Sequence, residues 1–350
     1  MQKGTNITSN DTSCSNKASE VNSVASFFTY ENLYNSYLKC IKGVKWKETT
    51  QHYMLNAWYR IALIHNQIVN GKYKMGGIHF FKVYERGKIR NISALNLNDR
   101  IVHKCFCDYY LTPLLSKKLI YDSGATIKGK GILFAKNRVI THLQRHYRKY
   151  GTKGYVLKID FHNYFESINH DILINKLSNV INNKEIIEFA KQVIPNEIKG
   201  LGLGSQVSQI CAMFYLNEID HFCKEKLRLK NYARYMDDIY AIDISKARLK
   251  NALKHIEKMA NEIGIGLNKN KTKIIELWKG FEFCKCKYIL TNTGKVIKLI
   301  RSKSFKTMKN KIRKGVSLTE IIPSWRAYIS WFNCYKRQQM FVAQNGKWWK

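Results

Sequence analysis

Asp160 closes an apolar run, YVLKI at 155–159, and Asp237 and Asp238 stand between two more apolar runs near 232–235 and 239–242. Three carboxylates brought together repel one another and are costly to desolvate, so the grouping calls for cations. Mg²⁺ suits it best, as a hard ion that prefers carboxylate oxygen. Two such ions, about 3.5–4 Å apart, would activate an oxygen nucleophile and stabilise the leaving oxygen of an in-line phosphoryl transfer. Neighbours on a flat strand face opposite ways, so the Asp237–Asp238 pair works best at a turn. Asp237 is expected as the firmer ligand and Asp238 as the more tolerant one. Two aspartates in a hairpin are also ordinary turn chemistry. The string Tyr-Met-Asp-Asp, with a strand-ending Asp-Phe 77 positions upstream of its first acid, is far more specific.

The elements that must carry these acids follow from the pattern around them. YVLKI reads as a buried strand, and YARY and IYAI as a hairpin with the acids at its tip. Before them, residues 1–25 are rich in Ser, Asn and Thr and read as a flexible polar arm. Apolar residues then recur at helical spacing from Tyr30 to Asn70, including Met54, Ala57, Ile61, Ile64 and Ile68. IHFFKVYERGKIRNISAL at 78–95 partly alternates and predicts a basic hairpin with Gly87 near its tip. Asn98 and Asp99 are expected to cap the helix that follows. YDSGATIKGKG at 121–131 is a basic glycine-rich loop leading into a cationic amphipathic helix that ends near Tyr150. Further helices are expected at about 168–193, and one long helix from Ser205 to Leu227. A helix at about 245–263 follows, then strands near 271–276, 281–290 and 295–300, then basic helices after Lys303. The sum is α+β, an antiparallel sheet flanked by helices, with no internal repeat.

Composition narrows the partner. Sixty Lys and Arg against 25 Asp and Glu give a formal charge of +35 over 350 residues. A whole surface of one sign fits a polyanion better than a small metabolite. No uncharged apolar run approaches the ~20 residues of a membrane span, so no membrane partner is expected. Nine scattered cysteines and no visible signal peptide read as reduced thiols in the cytoplasm. The C-x-C pairs Cys105/Cys107 and Cys284/Cys286 do not have zinc-knuckle spacing.

At these motifs the sequence resembles the reverse transcriptases of prokaryotic retroelements, over roughly residues 80–300. YMDD at 235–238 matches the family's catalytic box, and KIDFHNYFESINHDIL at 158–173 the box of the first aspartate. The resemblance implies a right-hand polymerase: N-terminal helices and fingers at 26–150, a palm at 151–300 with part of the fingers at about 168–200, and a helical thumb at 301–350. It implies that Asp160, Asp237 and Asp238 bind two Mg²⁺ ions, with the Phe161 carbonyl assisting. Phe165 would be a steric gate against a ribose 2′-OH, although ordinary core packing also accounts for it. Lys88 and Arg90 would grip triphosphate oxygens from one face of the basic hairpin, with Lys82 and Arg86 beside them. KGLGLGSQVSQ at 199–209 matches the box that shapes the nucleotide pocket, which implicates Leu203, Gly204 and Gln209. Most relatives carry Gln where this chain has Leu203, and Ser-Pro where it has Ser208-Gln209. The departure looks like diversity-generating and some defence-associated members, and suggests lowered fidelity. Lys271 would approach the phosphates. Lys128 and Lys130 of the glycine-rich loop, and Lys309, Arg313, Trp325 and Arg326 of the thumb, would contact nucleic acid.

The implied activity is cDNA synthesis on an RNA template from a DNA or RNA primer and deoxynucleoside triphosphates. No ribonuclease H, protease, integrase or endonuclease segment is evident. The setting is read as anti-phage defence with a dedicated structured noncoding RNA. The alternatives are a diversity-generating element with a small accessory protein, and a catalytically idle RNA-binding relative.

Overall fold

The computed structural model describes residues 23–85, 88–194, 200–202, 204–315 and 318–344. Most of the expected polar arm, together with Arg86, Gly87 and Leu203, lies outside the described residues. In chain order come α1 (Tyr30–Ile41), α2 (Glu48–Leu55), α3 (Ala57–Val69), β1 (Ile78–Glu85), β2 (Lys88–Leu95), α4 (Leu97–Phe106) and α5 (Thr112–Ser116). They are followed by α6 (Ile132–Tyr150), β3 (Tyr155–Ile159), α7 (Tyr164–Ser167), α8 (His170–Ser178), α9 (Lys184–Val193), α10 (Gln206–Tyr215) and α11 (Asn217–His221). The remainder is β4 (Asn231–Tyr235), β5 (Asp238–Asp243), α12 (Lys246–Glu262), β6 (Lys273–Glu276), β7 (Phe281–Phe283), β8 (Cys286–Leu290) and β9 (Val296–Ile300), then α13 (Ser302–Arg313), α14 (Leu318–Ser330) and α15 (Tyr335–Gln344). The chain forms two compact units, residues 1–119 with 163–217, and residues 120–162 with 218–350.

In the first unit, short polar residues start the helices by accepting an otherwise unpaired amide. Thr29 caps α1, Asn169 caps α8, Asn183 caps α9 and Ser205 caps α10. The start of α4 corrects the expectation that Asn98 and Asp99 cap it. The cap is Asn96, whose side chain accepts from Asp99 N at 2.9 Å. Asp99 instead turns inward, where its carboxylate accepts from Tyr73 Oη (2.7 Å), Gly76 N (2.8 Å) and Asn96 Nδ2 (2.8 Å). Phe27, Phe28, Phe106, Tyr110 and Phe189 stack around this helix as an aromatic core. β1 and β2 form a two-stranded hairpin paired from Ile78↔Leu95 to Glu85↔Lys88. The long helix expected from Ser205 breaks at Leu216 into α10 and α11, with a π turn at Phe222–Lys226.

The second unit holds an antiparallel sheet ordered β4-β5-β3-β6, and a three-stranded sheet ordered β7-β8-β9. Side chains alternate between faces along a strand, so Val156, Tyr240 and Ile242 share one face of the larger sheet. That face is covered by Ala135, Val139 and Leu143 of α6 and by Phe281 and Phe283 of β7, all in one buried cluster. The opposite face receives α12, through the buried Leu249, Ala252, Ile256 and Ala260. The single strand expected at 281–290 is two strands, because Cys284 (φ +48°) and Lys285 (φ +62°) make a two-residue turn between them. Both residues lie in the left-handed region, the requirement of a tight hairpin turn that usually selects Asn-Gly.

Candidate active site

The register of the larger sheet builds one corner of acids. β3 pairs β5 from Tyr155↔Asp243 to Ile159↔Ile239, and one further step sets Asp160 level with Asp238. Lys158 lies two residues before Asp160, hence on the same face, and diagonal to Asp238 across the strands. Its Nζ forms an ion pair with Asp238 Oδ1. The second oxygen of Asp238 accepts from Cys284 N at 3.2 Å, so the β7–β8 turn also holds it. Asp160 is fixed through its backbone: its carbonyl accepts from Asn268 N (2.8 Å) and its amide donates to Thr272 Oγ1 (3.3 Å). Phe161 stands opposite Leu267 in an isolated antiparallel bridge, and its ring is buried. Asp237 occupies the two-residue tip closed by the Tyr235↔Asp238 pair, next to Met236 at φ +55°.

Charge in this corner is only partly balanced. Burial raises the Asp237 carboxyl above the ordinary carboxylate range, and the negative charges of Asp238 and Asp160 push it further. Burial raises Asp238 as well, against the pull of Lys158. Lys271, expected at the phosphates, places Nζ 2.8 Å from Asp160 Oδ2, with 53% of its side chain exposed. Among the described residues, no three His, Cys, Asp or Glu side chains stand as a group able to hold a metal ion. The donor chemistry nonetheless fits divalent cations. Asp237 is desolvated and feels the charge of two other acids, all three offering hard oxygen donors, and ammonium groups rest on Asp160 and Asp238 where positive charge is called for. Asp160, Asp237 and Asp238 are the residues that would hold such ions.

The first unit assembles a different set of predicted residues. Phe165 is half-buried, its ring edge-on to Tyr164 (5.7 Å), and its carbonyl accepts from Leu201 N at 2.8 Å. Tyr164 is anchored by its hydroxyl to the Ala212 carbonyl. The glycine turn after Leu201 lies against β2. A Cβ on Gly202 would meet Ser93 Cβ at 2.8 Å, and one on Gly204 (φ +128°) would meet Ser93 O at 3.1 Å. β2 is also the strand that carries Lys88 and Arg90, opposite Glu85 and Val83. Gln209 is exposed on α10.

The predicted nucleic-acid residues divide. Lys128, Lys309, Arg313 and Arg326 are exposed. Lys130 is not a free surface cation: Nζ donates to Tyr121 O at 2.7 Å and lies over the Phe134 ring at 5.1 Å. Trp325 is a packing residue, with Phe305 and Phe341 rings at 5.3 and 5.2 Å. Sequence reasoning missed Lys158 and Arg234. The signal for both was a lone cation inside an otherwise apolar strand, YVLKI and YARY respectively.

The fold is that of right-hand polymerases, an α+β class. Telomerase from Candida albicans, in complex with a TWJ fragment of telomeric RNA, superposes with a TM-score of 0.51 at 12% identity, over 65% of this chain and 46% of that one. Apo telomerase from Candida tropicalis gives a TM-score of 0.49 at 14% identity, over 64% and 49% of the two chains. Residues 74–311 match the reverse transcriptase (RNA-dependent DNA polymerase) family model, and the chain belongs to that family. The retron Ec48 reverse transcriptase of Escherichia coli is 27% identical over 124 residues, 34% of this chain and 30% of that protein. The chain thus spans less than a third of the length of the curated relative it matches. The family generally uses divalent metal ions. Among the described residues, no helix is long and apolar enough to cross a membrane.

Proposed function

We propose that this protein is an RNA-directed DNA polymerase that synthesises cDNA on an RNA template. The observation that carries the reading is the acid corner, where strand register brings Asp160 level with Asp238 and Asp237 tips the same hairpin. Two Mg²⁺ ions held by Asp160, Asp237 and Asp238, with the Phe161 carbonyl assisting, would supply activation of a primer 3′-hydroxyl and charge neutralisation at the departing pyrophosphate. The chain's own side chains prepare that site. Lys158 holds Asp238 in place, and the exposed stem of Lys271 lets its ammonium leave Asp160 for a triphosphate. For nucleotide selection the same reading takes Phe165 as the gate against a 2′-OH, Lys88 and Arg90 for phosphate, and Leu203, Gly204 and Gln209 for the base.

The finer reading is a defence enzyme working with a structured noncoding RNA. Similarity to a retron reverse transcriptase supports a retroelement setting. The alternatives are a diversity-generating polymerase with an accessory protein, which shares Leu203 and Ser208-Gln209 with some defence-associated members, and a catalytically idle RNA-binding relative. Primer extension on RNA with Mg²⁺ and deoxynucleotides tests the activity, and absence of product with a folded, RNA-bound protein would refute it. Sequencing RNA and cDNA that copurify with the protein separates the settings. One structured RNA copied repeatedly supports defence, and a variable-gene template supports diversification.

A further inference from the structure

Arg234 and Asp220 are both wholly buried, at 0% exposure. Arg234 sits in β4 two residues before Met236. Its Nε donates to both Asp220 oxygens at 2.9 Å, and its Nη2 to Oδ2 at 2.6 Å. Tyr232 Oη donates to Asp220 Oδ1 at 2.6 Å, which fixes the carboxylate from a second side. Nη1 of the guanidinium reaches the Met236 carbonyl at 3.0 Å. The Arg234 backbone is tied as well, its amide to Asp122 O (3.2 Å) and its carbonyl to Gly124 N (3.1 Å).

A buried ion pair is weak evidence of stabilisation, since apolar residues of similar volume often serve as well. Apolar residues could not hold a carbonyl, and the carbonyl held here belongs to a strained residue. Met236 lies at φ +55°, a conformation that a residue with a side chain keeps only when its surroundings impose it. The peptide that follows Met236 leads directly into Asp237. We propose that Arg234, clamped by Asp220 and Tyr232, is a positioning residue that holds the Met236 carbonyl, and with it the left-handed turn that aims the Asp237 carboxylate. The assignment rests on the reading of Asp237 as a catalytic acid.

Arg234→Lys keeps a cation for Asp220 but lacks the fork that reaches Asp220 and Met236 together. Met236→Gly makes the left-handed turn accessible without a clamp. Primer extension on RNA, with kcat, deoxynucleotide KM and melting temperature measured for each variant, tests the idea. Arg234→Lys is expected to lower kcat roughly 10- to 100-fold with KM nearly unchanged, as misaimed reacting groups do. Adding Met236→Gly to Arg234→Lys is expected to recover much of that loss, although it does nothing for the ion pair. If Arg234→Lys does not fold, Asp220→Asn, which is isosteric and loosens the clamp, carries the same comparison. A kcat loss that merely tracks the folded fraction, or a loss that Met236→Gly leaves untouched, overturns the proposal. Asp237→Asn run in parallel separates the two levels. If it stays active, the catalytic reading falls and the positioning role with it. If it is dead while the glycine rescue fails, only the positioning role falls.

Discussion

The acid corner of the second unit and the glycine turn of the first are built by opposite means. In the acid corner, charge is positioned by charge: Lys158 on Asp238, Lys271 on Asp160, and Arg234 behind the turn. At the glycine turn, position is set by what is missing: Gly202 approaches Ser93 more closely than a side chain permits, and Gly204 lies close to it at φ +128°, a backbone conformation that side chains rarely adopt. Phosphoryl transfer needs fixed carboxylates whose repulsion is balanced. Holding a flat base or a sugar needs backbone brought close to the ligand.

The strongest way to break this contrast is Asp160→Asn, which removes a carboxylate and leaves shape intact. A loss of about 10³-fold in extension rate or more is expected, with RNA affinity retained in a filter-binding assay. In the first unit, His103 tests burial without charge. Desolvation pulls its pKa from 6.5 down to about 4, and its Nδ1 faces Ser205 Oγ at 2.9 Å. The folded state therefore keeps it neutral, while the unfolded chain takes up a proton below about pH 6.5. The stability present above that pH should fall by roughly 3 kcal/mol as pH drops toward 4. Urea titrations should show that slope flattened in His103→Gln, and an unchanged slope would count against a buried neutral imidazole.

Lys158→Met leaves Asp238 with the Cys284 amide and no cation. Since both groups are only partly buried, a cost of about 2 kcal/mol is expected in chemical denaturation. Gly202→Ala should raise the deoxynucleotide KM about 10-fold, equivalent to ~1.4 kcal/mol, and Ser93→Gly should restore it by removing the clashing Cβ. Failure of that pair to compensate would detach the turn from β2. The smallest effect belongs to exposed Lys309 and Arg313: each change to Ala should lower the slope of log affinity against log salt by about one unit.

Much of this was legible in the residues. Short apolar runs and the charge at their ends located β3, the β4–β5 hairpin and the three acids. What escaped needed tertiary information. Nothing local in YVLKI says that Lys158 meets Asp238, because the diagonal contact exists only in the observed register. Asn96 rather than Asn98 caps α4, because Asp99 is drawn inward by Tyr73 and Gly76. Trp325 has the composition of a stacking residue, but the rings of Phe305 and Phe341 claim it. The residue pattern gave the amphipathic helix that ends near Tyr150, but not the sheet on which α6 packs.

The central claim is that Asp237, held at the hairpin tip, takes part directly in nucleotide addition. Single-turnover primer extension on an RNA template, at saturating RNA and Mg²⁺, tests it with wild-type protein and Asp237→Asn side by side. The account predicts rapid addition by the wild type and essentially none by the variant at equal RNA occupancy. Equal rates from the two would contradict it.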